Sequence, residues 1–425
     1  MRYSQPFGTP TPPLGSYPRY INGNPVTGTE GSIPPASAFD EDQIEIVTVI
    51  ANVGLTPDHS DLTQLWQAIQ LLIQQKYITA PIVKKVHGPG ADFVDLYAAL
   101  AWLGNYIITP TGTVTFLVAN GKWTYLSTLE LSHPNINRVT IQGGALLGAS
   151  PQPGNISVTG YSLSNDKTNQ IIYLRSVYAT ELSFTGGVSG FRSFAGGLTL
   201  RYLLISGSQD IASPPNYGRA GCGLDAYEFF NVDGCAFWGF GDTGIAIEGT
   251  MVQMTSSLSL TVCACGISGI EARAGYFIGN GIVITASCGG QGVLSATSYS
   301  HFRAGLNSKG NGTPTGSVDG YGIIMYGGGY IRINVGGGNM QINKRAGAWV
   351  QSGTLEGEGN IYSNNGQYGV YMDGGKAWIN NSTLSGNGTR DVNLQGGSDM
   401  ELIGSSYTST QPPINTEQNN SLIIY

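Results

Sequence analysis

A four-residue cassette recurs down this chain: glycine, then an apolar residue, a variable one, and a small or apolar one. It reads GLDA at Gly223, GIAI at Gly244, GIEA at Gly269, GVLS at Gly292, GIIM at Gly322, GAWV at Gly347 and GVYM at Gly369, with a degenerate DVNL at Asp391. The intervals are 21, 25, 23, 30, 25, 22 and 22 residues. A repeat of this length marks stacked units, each too small to bury a core alone. The cassette alternates with period 2 and is bracketed by Gly, Asn and Ser, so each unit carries strand. One strand-bearing coil per repeat, with little helical periodicity, predicts a mostly β protein: a right-handed parallel β-helix. The chain holds 63 glycines in 425 residues, about twice the usual share. The sequence assigns them to tight corners needing positive φ, as in Gly279-Asn280-Gly281, Ser363-Asn364-Asn365-Gly366 and Ser385-Gly386-Asn387-Gly388.

Texture divides the chain into four parts. Residues 1–39 are rich in proline, lack a hydrophobic period, and need a partner surface to become ordered. Residues 40–85 hold two helical patterns, Asp40 to Ala51 and Ser60 or Asp61 to about Tyr77. In the second, Leu62, Leu65, Ile69, Leu72 and Lys76 follow a 3,4,3,4 spacing, and Trp66 and Ile73 widen the stripe. That spacing suits an oligomeric seam, the alternative being an ordinary amphipathic helix. Residues 86–405 form the solenoid, opened by a capping helix that Asp92 starts and Leu103 ends. Ile171 to Leu174 and Leu198 to Leu203 read as early coils, and 406–425 as a tail after a stack ending near Leu402-Ile403-Gly404.

Composition excludes several roles. A net charge of −7 and the lack of a clustered Lys/Arg patch make nucleic acid a poor partner. No stretch approaches the roughly 18–20 apolar residues of a membrane span. The start, Met1-Arg2-Tyr3-Ser4-Gln5-Pro6, has no charged segment followed by an apolar one, so no secretory signal is expected. Cys222, Cys235, Cys263, Cys265 and Cys288 lack paired metal spacing and are expected as buried thiols between coils, consistent with assembly in a cytoplasm. No metal and no cofactor is expected. The Gly327–Gly329 and Gly336–Gly338 runs lack the Lys-Ser/Thr of a phosphate loop and read as corners.

The block Gly23-Asn24-Pro25-Val26-Thr27-Gly28-Thr29-Glu30-Gly31-Ser32-Ile33-Pro34-Pro35, followed by Asp61-Leu62-Thr63-Gln64-Leu65 and Ala68-Ile69, resembles the N-terminal part of tailed-phage tail fibre and tailspike proteins. Gly90-Ala91-Asp92-Phe93 through Ala98-Ala99-Leu100 is similar to the entry of pectate-lyase-like tailspike β-helices. Ala119-Asn120-Gly121-Lys122-Trp123 stands where such proteins often carry a Pro-Gly turn. The resemblance implies a virion protein: a homotrimer anchored to the phage tail or baseplate through Asn24, Pro25, Gly28, Pro34 and Pro35. Its distal surface would meet host polysaccharide or another receptor.

Alternation turns the second and fourth cassette positions to the core and the third outward. The third-position column is Asp225, Ala246, Glu271, Leu294, Ile324, Trp349, Tyr371 and Asn393, with Glu248 on the same face. Asp225 and Glu271, two coils apart, would stand roughly 10 Å from each other with Glu248 between them. That separation borders on the carboxylate geometry of glycosidases, about 5–9.5 Å. The bland reading is that acidic residues on solvent faces align by chance. Tyr326, Trp349 and Tyr371 form an aromatic stretch for burial against another chain or for stacking on sugar rings. Host recognition is the expected function, leaning away from catalysis. The alternatives are a polysaccharide depolymerase using Asp225, Glu248 and Glu271, and a structural spacer carrying another receptor-binding protein.

Overall fold

The structure, a computed structural model, describes residues 26–27, 37–58, 60–160, 164–194, 196–207, 221–312, 320–334, 338–407, 414–416 and 422–424. The anchor residues Asn24, Pro25, Gly28, Pro34 and Pro35 lie outside the described residues. The chain forms two compact units, Met1–Ile78 and Thr79–Tyr425.

The first unit contains α1 (Ser37–Asn52) and α2 (Gln64–Gln75). Asp61 Oδ1 accepts the Thr63 amide at 2.9 Å, turning the chain into α2. The side chain of Gln64 fastens the loop between the helices: its Nε2 donates to the Thr56 carbonyl and its Oε1 accepts the Asp58 amide, both at 2.7 Å. Ile50 and Ala68 are buried, whereas Leu65, Trp66, Ile69, Leu72 and Ile73 stay exposed.

The second unit is a parallel β-helix. Each coil gives one strand to each of three all-parallel sheets before climbing to the next. Among the described residues, sheet I has 13 strands, from Pro81–Val86 to Leu422–Ile424. Sheet II has 11, from Gly121–Tyr125 to Ser406–Tyr407, and sheet III has 11, from Leu129–Leu131 to Ile414–Thr416. The stack therefore begins at Pro81, before the expected Val86. It also continues through the residues read as a tail, since Ser406–Tyr407, Ile414–Thr416 and Leu422–Ile424 complete one more coil. That segment's short strands lack the cassette glycine, which hid them in the sequence.

The cassette behaves as its alternation predicts. Leu224 and Ala226, Ile245 and Ile247, Ile270 and Ala272, and Val370 and Met372 are all fully buried. The reason for its glycine differs from the expected one. A Cβ at Gly223, Gly244, Gly269, Gly292, Gly322, Gly347 or Gly369 would stand 2.5–2.8 Å from the carbonyl oxygen of the matching residue one coil on. None of these glycines has a positive φ. Close approach of backbones demands them. Left-handed bends fall at strand ends instead, and one series of them follows the sheet II strands, at Gly239, Ala264, Ser287, Gly310, Ile342, Asn364 and Gly386. Of the corner runs named above, Asn364 and Gly386 hold such bends, while Gly279 and Gly281 do not.

The residue after each bend points inward and forms a ladder of its own. Cys265 and Cys288 occupy two rungs, then Asn311, Asn343, Asn365 and Asn387. Asn311 Nδ2 donates to Asn343 Oδ1 at 2.9 Å, Asn343 Nδ2 to Asn365 Oδ1 at 3.1 Å, and Asn365 Nδ2 to Asn387 Oδ1 at 3.0 Å. The same oxygens accept the backbone amides of Asn311, Asn343 and Asn365, and Asn311 Oδ1 accepts that of Cys288. All five cysteines are buried and none forms a disulfide; burial pushes Cys235 up to about 12, which makes that thiol an inert packing group.

Two local expectations change. The capping helix, α3 (Leu96–Leu103), is capped by Asp95, whose carboxylate accepts the Ala98 amide at 2.7 Å. Asp92 instead holds Lys84 Nζ and the Lys85 amide. Ile171 to Leu174 belongs to α4 (Ser164–Val177) rather than to a coil. Ile171, Leu174 and Val177 pack with Leu204, Ala236, Ala264, Ile284 and Ala286 on the outside of sheet II. The small alanines admit the helix, and an Arg175–Glu181 ion pair (2.8 and 2.9 Å) ties it to the sheet edge. The chain thus covers part of sheet II with its own helix, leaving sheets I and III as the outward faces to consider.

Candidate functional site

The third-position column on sheet III is in register as the sequence spacing implied: Asp225, Ala246, Glu271, Leu294, Ile324, Trp349, Tyr371 and Asn393 are successive partners. Register alone does not make its acids accessible. Asp225 is fully buried, with Arg192 Nε 3.0 Å from its Oδ2. Glu271 is 9% exposed and paired with Arg273. Glu248 does not stand between them: its partner is Arg273, and Ala246 fills the intervening rung. Burial, with the nearby carboxylates of Asp242, Asp225 and Glu271, pushes the Cys222 thiol well up; these acids form a covered cluster. Among the described residues no group of three or more His, Cys, Asp or Glu could hold a metal ion.

The aromatic half of the column closes on itself. Leu294 and Ile324 point outward yet are buried, because Tyr321, Trp349, Tyr368, Tyr371 and Tyr326 lie across them. Ring centroids are 4.9 Å apart for Tyr321–Trp349, 6.0 Å for Trp349–Tyr371 and 5.3 Å for Tyr368–Tyr371. Trp349 and Tyr371 therefore share ring area with their neighbours rather than standing as open platforms, and Tyr326 packs against the same cluster.

The outer face of sheet I holds a site that sequence reading passed over. One ladder runs Ile278, His301, Arg332, Glu356, Trp378, Glu401. Beside it run Tyr276, Tyr299 and Tyr330, the last two stacked at 5.0 Å. On the side of the ladder away from these tyrosines opens a cleft of about 430 Å³ lined by Arg332, Asn334, Glu356, Glu358, Trp378, Asn380 and Glu401. The Arg332 guanidinium lies 3.3 Å from Glu356, which also accepts the Tyr330 hydroxyl. Asn380 Nδ2 donates to Glu401 at 3.2 Å and Asn381 Nδ2 to Glu358 at 3.1 Å. Trp378 is 37% exposed and stacks on no other ring among the described residues. A free indole face, carboxylate acceptors and a guanidinium donor form a set suited to a ligand with apolar ring faces and many hydroxyls. The sequence signal was an outward polar residue between two core residues, as in Ile331-Arg332-Ile333, Leu355-Glu356-Gly357 and Ala377-Trp378-Ile379. These triplets lie in the strand after the cassette.

No protein-family model matches the chain, and no curated protein matches it. Among solved structures it is similar to the pectin methylesterase of Aspergillus niger in deglycosylated form: 11% identity, TM-score 0.31, covering 81% of this chain and 90% of that one. It is similar to the catalytic domain of a GH87 alpha-1,3-glucanase in complex with nigerose: 13% identity, TM-score 0.32, covering 82% and 68%. It is also similar to ORF18 of Geobacillus virus E2: 11% identity, TM-score 0.34, covering 95% and 66%. The assignment of the fold rests on the ladders described above.

Proposed function

We propose that this chain is a tail fibre or tailspike of a phage, which recognises host-surface polysaccharide during adsorption. The observation that carries the reading is the sheet I cleft, where Trp378 lies between Glu356 and Glu401 on a rigid, all-parallel stack. A rigid solenoid suits a virion appendage, since its strands are paired coil to coil and resist local opening. The N-terminal segment serves as the tail anchor in this reading, supported by its resemblance to such anchors. Incubation of the full-length protein with isolated bacterial surface polysaccharides, followed by size analysis, tests it. Retention of intact glycan is expected. Shortened glycan would replace the adhesin with a depolymerase, and failure to retain any glycan would leave the spacer reading.

The homotrimer is part of the same proposal and is supported by α2. Leu65, Ile69 and Leu72 keep heptad spacing, and Trp66 is 64% exposed. A stripe of that size on one helix needs cover, and two further copies of the same helix supply it. Sedimentation of the full chain should give three times 44.7 kDa. Leu65→Asp with Leu72→Asp should release single chains, because charge at seam positions cannot be desolvated cheaply. A wild-type single chain would refute the seam.

A further inference from the structure

The cleft on sheet I is longer than it is wide, and its charge is unbalanced. Its lining comes from four successive strands, Tyr330–Ile333, Thr354–Glu358, Lys376–Asn380 and Asp399–Glu401, or from the residue just after them. Three intervals of about 4.8 Å make it roughly 14 Å long along the stack axis. Across the strands it spans positions 332–334, 356–358 and 378–380, two intervals of about 3.4 Å, or roughly 7 Å. An extended chain parallel to the axis fits such a shape. The rise per coil is close to the advance of one pyranose along a linear glycan.

Three carboxylates, Glu356, Glu358 and Glu401, face one guanidinium, Arg332. Arg332 is spent on Glu356. Glu358 and Glu401 receive only neutral amide donors, from Asn381 and Asn380. Two carboxylates thus remain without a cation among the described residues. They can accept from hydroxyl or ammonium groups, whereas a ligand carboxylate or phosphate laid beside them is repelled. Trp378 sits one rung from Glu356 and one from Glu401.

We propose that this cleft takes a linear polysaccharide of neutral or amino sugars, laid along the stack axis across Trp378, and excludes polyuronates and other polyanionic glycans through Glu358 and Glu401. The inference rests on the glycan-recognition reading above and adds to it the class and direction of the ligand. The carboxylates act as selectors: they accept hydrogen bonds from the right ligand and bar the wrong one.

The test uses the full-length protein on a panel of linear bacterial surface polysaccharides with neutral, amino-sugar or uronate-containing repeats. Wild type should retain the first two classes only. Trp378→Ala should weaken that retention about tenfold or more, equivalent to about 1.4 kcal/mol, and Trp378→Phe should recover part of it. Glu358→Gln with Glu401→Gln should admit uronate polymers at least tenfold better than wild type. That is a gain of binding that misfolding cannot imitate. A wild-type preference for uronate polymers, or retention indifferent to Trp378→Ala, overturns the inference while leaving the adsorption reading standing. No retention of any glycan by wild type overturns both.

Discussion

Alanine at Gly347 is expected to destabilise the β-helix by about 3 kcal/mol or more, a large effect for one methyl group. The added Cβ would lie 2.7 Å from the Gly369 carbonyl oxygen, 3.0 Å from Asn365 Nδ2 and 3.1 Å from the Tyr362 ring. The first of these is backbone, fixed by parallel ladders on both sides, so it has nowhere to go. Relief requires prising two coils apart, which lengthens the ladder hydrogen bonds around the clash. A solenoid's stability is carried by contacts between adjacent units, so the damage should concentrate between the coils of Gly347 and Gly369. Thermal or denaturant unfolding with limited proteolysis would show an earlier transition and new cleavage there. Gly154→Ala is the control: no atom lies within 4 Å of its added Cβ, its φ is ordinary, and a change within about 0.5 kcal/mol is expected. Equal stability of the two variants would remove the steric account of the cassette.

Asn365→Ala should cost about 3–5 kcal/mol. The side chain is buried in mid-ladder. Its Oδ1 accepts the Asn343 amide at 3.0 Å and Asn343 Nδ2 at 3.1 Å, and its Nδ2 donates to the Met340 carbonyl at 3.1 Å and to Asn387 Oδ1 at 3.0 Å. Truncation strands a backbone amide and a carbonyl where water does not reach. Each buried orphan costs about 1–3 kcal/mol. The loss also propagates, because Asn343 and Asn387 each lose a partner and the network polarises as a chain. Denaturant titration of the variant, with a double-mutant cycle against Asn343→Ala, measures it. Additive effects of the two substitutions would show that the ladder does not act as a unit.

The solenoid was legible because its requirement is steric and local. A glycine recurs where two backbones approach, and the alternation after it sorts core from surface. Both survive any change in the outward side chain, which is why the column from Asp225 to Asn393 fell into register. Its chemistry was not legible. Asp225 and Glu271 look like free acids in sequence, yet Arg192, one coil before Asp225, and Arg273, two residues after Glu271, hold their covered carboxylates in ion pairs. The short apolar run Ile171 to Leu174 fits strand or helix equally by pattern. Only the alanine-floored outer face of sheet II made the helix the better choice.

The cleft shows the same division from the other side. Arg332, Glu356, Trp378 and Glu401 follow one another at 24, 22 and 23 residues, repeat no single residue type from rung to rung, and carry no marker such as the cassette glycine. What the sequence determined alone is the coil: its period, its inward residues and its glycines, all imposed by backbone sterics acting over a few residues. What only the tertiary structure decided is which outward side chains meet across coils and which are sealed by α4, by ion pairs or by their own aromatic neighbours. That is settled by the register between strands more than 20 residues apart, where coil lengths vary and a single shifted residue would turn a side chain to the opposite face.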